Sequence, residues 1–125
     1  MKVLALDFGS ARTGVAVSDP TGMLARPVGV IEGVGSEPGL DKLVELIREE
    51  RPERIVVGMP LTLRGDHGEQ ARATEEFVES LRTRVDVPVE TFDERFTSVL
   101  ADGDDAKAAA HLLSSYLEWS SSARR

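Results

Sequence analysis

The chain contains no cysteine, so it has no disulfide, no thiolate metal site and no cysteine nucleophile, which predicts a cytoplasmic protein. Aromatic residues are few, 5% of the total with one Trp and one Tyr. Phe77, Tyr116 and Trp119 fall at helical spacings, which predicts packing rather than base stacking. No run approaches the roughly 18 apolar residues of a membrane span. The opening Met1 to Leu6 meets Asp7 and Gly9 too soon for a signal peptide. Positive charge is short as well: fifteen Lys and Arg against 22 Asp and Glu leave a net −7. That deficit excludes tight, indiscriminate coating of nucleic acid, which depends on Lys and Arg neutralising phosphates.

What is present suffices for one folded unit. At 125 residues and 41% hydrophobic content, the chain predicts a single domain over residues 1–119, with 120–125 as a flexible C-terminal tail. Lys2 to Leu6 is an apolar run that reads as a strand buried on both faces. Gly14 to Ser18 is a second strand, closed by the turn residues Asp19-Pro20-Thr21-Gly22. Leu24 to Ile31 is a third, with Pro27 pointing to a sheet edge. The period then changes, with Leu40, Leu43, Val44 and Ile47 forming a helical stripe that Pro52 stops. Ile55 to Gly58 is a fourth strand, and Glu69 to Arg84 a second helix with Ala73, Phe77, Val78 and Leu81 inward. Pro88 to Phe92 is the fifth strand, and Ala106 to Trp119 a last helix burying Ala109, Leu112, Leu113 and Tyr116. With right-handed crossovers this order predicts a mixed α/β sheet, 3-2-1-4-5, strand two antiparallel to the rest and helices on its faces.

In such sheets ligands bind beyond the carboxyl ends of the parallel strands. That edge receives Asp7 from strand one, Met59 and Pro60 from strand four, and Asp93-Glu94 from strand five. Adjacent strand residues point to opposite faces, so only one of Asp93 and Glu94 shares the side of Asp7. Asp104 and Asp105 precede the last helix. Asp105 lies one turn before Ala109 and is the better inward carboxylate, while Asp104 leads to Ala108 and His111. Either also serves as a helix cap. Carboxylates gathered in one crevice repel one another unless a hard cation neutralises them. Oxygen ligands without Cys favour Mg²⁺ or Mn²⁺ over zinc. Two such ions about 3.5 to 4 Å apart can drive phosphodiester hydrolysis without a side-chain nucleophile.

Four strings in order resemble the YqgF/RuvX family: Leu6-Asp7-Phe8-Gly9 with Arg12 to Asp19, Val56 to Leu61 with Gly65, Asp93-Glu94-Arg95-Phe96-Thr97-Ser98, and Asp105 with Ala108-Ala109 and Ser115-Tyr116-Leu117. The resemblance spans nearly the whole chain. It implies a ribonuclease-H-like, three-layer fold and a metal-dependent nuclease. Such a nuclease either processes the 5′ end of precursor 16S ribosomal RNA or resolves Holliday junctions. The family's acidic positions fall on Asp7, Glu94 and Asp105, with Asp93 as a possible neighbour. The chain departs from the pattern between Ser98 and Asp105, where similar proteins carry a further helix and a basic loop.

Of the fifteen basic residues twelve are Arg, the side chain suited to bidentate phosphate contacts. Arg12, Arg64 and Arg95 are the candidate nucleic-acid contacts at the catalytic edge. Arg26, Arg72, Arg82 and Arg84 read as ordinary surface charges. Implied partners are structured nucleic acid, either precursor rRNA or branched DNA, ribosomal components, and a second copy of the chain in a homodimer. Two other readings stay open. Asp7-Phe8-Gly9 with Gly14 also resembles the phosphate loop of actin-like ATPases and sugar kinases, although those enclose the nucleotide between two domains. A catalytically silent nucleic-acid-binding domain is the other.

Overall fold

A computed structural model describes residues 1–60, 68–93 and 105–123. Strands β1 (Val3–Asp7), β2 (Arg12–Ser18) and β3 (Ala25–Glu32) form an antiparallel meander. Strands β4 (Arg54–Met59) and β5 (Val89–Asp93) continue the sheet parallel to β1, giving the order β3-β2-β1-β4-β5. Pro27 does lie on an edge strand, opposite Ala16 and beside a register shift between Val15 and Ala16. A residue without an N–H is tolerated at such a place.

Helices α1 (Glu37–Glu50), α2 (Glu69–Arg82) and α3 (Asp105–Ala123) complete the molecule. Strand alternation sorts the core into two halves. Leu4, Leu6, Val15, Val17, Ile55, Val57 and Val89 pack with Leu43, Val44 and Ile47 of α1 and with Phe77, Val78 and Leu81 of α2. Val3, Ala5, Ala16, Val56 and Phe92 pack on the other side with Ala109, Leu112, Leu113 and Tyr116 of α3. The result is the three-layer arrangement expected from the sequence. Each fully buried Leu or Val contributes about 1.5–3 kcal/mol relative to exposure.

Local chemistry fixes the ends. The Ser36 side chain accepts from the Gly39 N–H to start α1, and Arg51 ends it in a left-handed conformation, φ 52°, just before Pro52. In the β2–β3 turn the Asp19 carboxylate accepts from the N–H groups of Leu24 and Met23 and from the Thr21 hydroxyl, which hold it well below the usual carboxylate range.

Two expectations are corrected. On α2 the buried stripe is Ala71, Thr74, Phe77, Val78 and Leu81, while Ala73 is exposed. Steps of four drift off a 3.6-residue period, so Thr74 rather than Ala73 aligns with Leu81. Thr74 tolerates burial because its hydroxyl donates to the Gln70 carbonyl at 2.8 Å. The last helix does not end at Trp119 but runs on to Ala123, since Ser120 to Ser122 contain neither Gly nor Pro to break it. Trp119 is 53% exposed even though its ring leans on Phe92 and Tyr116. No helix among the described residues is long and apolar enough to cross a membrane.

At the amino end of β4, Arg54 Nη1 donates to the Tyr116 hydroxyl at 3.0 Å, and that hydroxyl donates to Glu90. Burial, joined by the Glu90 bond, pushes the Tyr116 hydroxyl above its ordinary 10.0. A raised tyrosine favours the neutral form in the folded state. Its contribution is therefore complete below pH 10.0 and is lost as pH rises through the higher folded value. The chain has one Tyr, so the tyrosinate absorbance of the native protein reads this group alone. We expect it to titrate above free tyrosine, and Tyr116→Phe to remove the corresponding alkaline loss of stability in urea unfolding.

Candidate active site

At the carboxyl end of β1 the three residues Asp7-Phe8-Gly9 divide by direction. Phe8 packs against the α1/α2 core, its ring stacked on Phe77 with centroids 4.6 Å apart. Asp7, on the same side as Val3 and Ala5, belongs to the α3 face. Gly9 then lets the chain reverse tightly, since a Cβ there would come within 2.4 Å of the Arg12 carbonyl oxygen. The turn delivers Arg12 to the start of β2, beside the end of β1.

Gly14 decides what stands next to Asp7. It is the register partner of Asp7 in the β1–β2 ladder. A methyl group at Gly14 would lie 1.8 Å from the Asp105 carbonyl oxygen. The first residue of α3 is therefore seated directly on β2 at the Asp7 position, and no side chain other than hydrogen fits between them. Asp105 also sits in the first turn of α3, where the helix dipole favours a carboxylate. Its Oδ2 lies 3.2 Å from Arg12 Nε. By alternation Arg12 shares the face of Gly14. Asp7, Arg12 and Asp105 thus converge on the α3 side of one sheet edge.

Asp93 does not join them. It ends β5 in register with Met59 and lines a hollow of about 320 Å³ under α2 with Met59, Glu75, Val78, Glu79, Arg82 and Thr91. That is the opposite face of the sheet. Asp104, Glu94, Arg64 and Arg95 lie outside the described residues. Three of the remaining arginines have other ties. Arg82 donates to the Val89 carbonyl from Nε and Nη2 and pairs with Glu79, Arg84 pairs with Asp41, and Arg26 approaches Glu50 at 3.8 Å.

The sequence points to Gly14 as part of the phosphate-loop resemblance, not as the seat of a helix. A glycine inside an otherwise β-branched strand, Thr13-Gly14-Val15, was the available signal, since it marks close approach by another backbone. Among the described residues no group of three or more His, Cys, Asp or Glu is arranged to hold a metal ion. The described donors are Asp7 and Asp105, both oxygen ligands suited to hard cations.

The three layers, the sheet order and the helix-borne acid at the end of β1 define a ribonuclease-H-like protein. The same fold is found in the Thermus thermophilus RuvC structure, with a TM-score of 0.62 at 15% identity over 98% of this chain and 97% of that one. It also matches T. thermophilus RuvC in complex with a Holliday junction substrate (TM-score 0.64, 16% identity, 97% and 96% covered) and the fowlpox virus Holliday junction resolvase (0.57, 12%, 95% and 99%). At those identities the likeness is one of fold. The chain belongs to the RuvX family, described as Holliday junction resolvase, whose model matches residues 1–119. Curated relatives are named as candidate pre-16S rRNA nucleases. One from Roseiflexus sp. (strain RS-1) is 46% identical over 101 residues, 81% of this chain and 72% of the relative. One from Syntrophomonas wolfei is 35% identical over 133 aligned positions, covering 94% of each chain.

The Gly14 contact is directly testable. Gly14→Ala must push α3 off the sheet, an overpacking that costs about 1–3 kcal/mol. Gly29→Ala on β3, where nothing lies within 4 Å of the added methyl, should stay within about 0.5 kcal/mol of wild type. Urea unfolding of the two variants reads the difference, and equal stability would remove the Gly14 argument.

Proposed function

We propose that this protein is a divalent-metal-dependent nuclease acting on a structured nucleic acid, with the 5′ end of precursor 16S ribosomal RNA as its substrate in the cytoplasm. The observation that carries the reading is the seating of Asp105 on Gly14 beside Asp7 in a member of the RuvX family. The substrate follows the names of the curated relatives.

The donor set fits a hard cation: two carboxylates on one face, with Arg12 already supplying positive charge to Asp105. Asp7 and Asp105 hold the cation in this reading. Glu94 is the third ligand in this reading, the position the family resemblance assigns to an acid. Asp93, on the α2 side, drops out of the ligand set. Bound there, Mg²⁺ or Mn²⁺, as a pair of ions, supplies activation of water and stabilisation of the leaving oxygen of a phosphodiester. Arg12, Arg64 and Arg95 hold phosphate oxygens and orient the strand.

The charge distribution supports this assignment. Helix α1 carries five acidic residues against two basic, and α2 four against two. Most of the net −7 therefore lies in the α1/α2 layer, across the sheet from Asp7. A phosphate backbone approaching the α3 edge is spared that repulsion. Affinity then depends on substrate shape and on ribosomal components bound alongside it.

The family description favours a second reading, cleavage of four-way DNA junctions. Resolving a junction takes two cuts and hence a homodimer, whereas trimming an rRNA end does not. One experiment tests both. A precursor 16S leader and a four-way DNA junction are offered to wild type and Asp7→Asn, with Mg²⁺, Mn²⁺ or EDTA. We expect cleavage of the leader that EDTA stops and that Asp7→Asn lowers by about 100-fold or more, at least the effect of disturbing a metal's supporting shell. Cleavage of the junction alone would give the site to DNA. No cleavage of either would leave a silent binding domain, and an equally active Asn variant would overturn the assignment of the site to Asp7.

A further inference from the structure

Arg12 stands in the site without the marks of a structural cation. Arg82, by comparison, is fixed by two donations to the Val89 carbonyl, at 3.2 and 2.8 Å. Arg12 instead reaches a carboxylate at the rim of the cleft, and its side chain is 60% exposed against 30% for Asp105. An ion pair so open to solvent is a weak tie for the fold. Yet it engages one of the carboxylates that the nuclease reading assigns to the cation. Both demands on Asp105 cannot be met in full together, because a guanidinium at 3.2 Å repels a divalent ion at the same carboxylate.

Resting on the nuclease reading, we propose that Arg12 is an exchangeable counter-charge. It neutralises Asp105 until a divalent cation takes that carboxylate, and the released guanidinium then takes a phosphate oxygen of the substrate. Arg12 is thus a positioning residue that couples cation loading to nucleic-acid capture. The exposed side chain is free to swing, and its planar fork suits phosphate as well as carboxylate. Linkage makes the coupling reciprocal: the cation tightens nucleic acid, and nucleic acid tightens the cation.

Mn²⁺ titration by calorimetry tests the proposal without any turnover. Arg12→Gln should bind Mn²⁺ about three- to tenfold more tightly than wild type, since one competing positive charge a few ångströms from the ion is gone. Arg12→Lys should stay near wild type. A double-mutant cycle in EDTA, read by anisotropy of a labelled 16S leader, supplies the second measurement. Asp105→Asn frees Arg12 and should tighten the leader about threefold or more, and adding Arg12→Gln should cancel that gain. Unchanged or weaker Mn²⁺ binding by Arg12→Gln, or its failure to fold, would overturn the counter-charge role in favour of a structural one. If wild type binds Mn²⁺ through Asp7 and Arg12→Gln is no tighter, this inference alone falls. If wild type shows no Asp7-dependent Mn²⁺ binding, the nuclease reading falls with it.

Discussion

The close contact between the Asp105 carbonyl and Gly14 is the constraint on which the rest of the site depends. It brings the start of a helix down onto a strand, and it does so at the register position of Asp7. Where β1 and β2 meet α3 the sheet presents Ala5, Ala16 and Gly14, while the other face of the same strands presents Leu4, Leu6, Val15 and Val17. Small residues let a helix lie near the strands and large ones hold helices off. Farther along α3, Tyr116 locks into Arg54 and Glu90. The helix is therefore fixed at two places, and Ala109, Leu112 and Leu113 fill the interval.

Alternation turns that single contact into a division of labour. Phe8 anchors the end of β1 into the α1/α2 core while its neighbour Asp7 faces the other way. Asp93, two strands over, follows the same rule and falls on the α2 side with Glu75 and Glu79. Acidic residues are thus present on both sides of the edge, and Arg12 stands on the α3 side, paired with Asp105.

This also explains how much was legible in the sequence. The meander, the edge position of Pro27 and the stripe of α3 follow from hydrophobic period and turn residues, which act locally, and strand order follows from them through the handedness of the crossovers. The choice of Asp105 followed from counting turns back from Ala109, and the structure sets it on Gly14. What was not legible depends on contacts between distant segments. Nothing local tells that Gly14 receives a backbone 91 positions later rather than loosening a strand. Ala73 fits the hydrophobic pattern and Thr74 the 3.6-residue phase, and the Gln70 carbonyl that satisfies Thr74 is visible only once the helix is built. Trp119 packs on Phe92 and Tyr116 as its spacing predicts, yet the residue stays 53% exposed.

The site poses a folding problem before it poses a chemical one. Asp105 is seated by its backbone on the register partner of Asp7, and neighbouring carboxylates raise the free energy of the folded chain unless positive charge lies close. A divalent cation is one remedy, but the chain must also fold when the ion is scarce. Arg12 supplies a remedy from within, delivered by the Gly9 turn to the face where the conflict arises. In the counter-charge proposal the pair, open to solvent, lowers the repulsion without binding so firmly that a doubly charged ion could not replace it. A buried, fully hydrogen-bonded arginine would have stabilised the empty fold further and closed the site to metal. If Arg12 is the exchangeable counter-charge proposed above, its exposure is what lets one residue serve the folding of the acidic edge and the later approach of a phosphate chain.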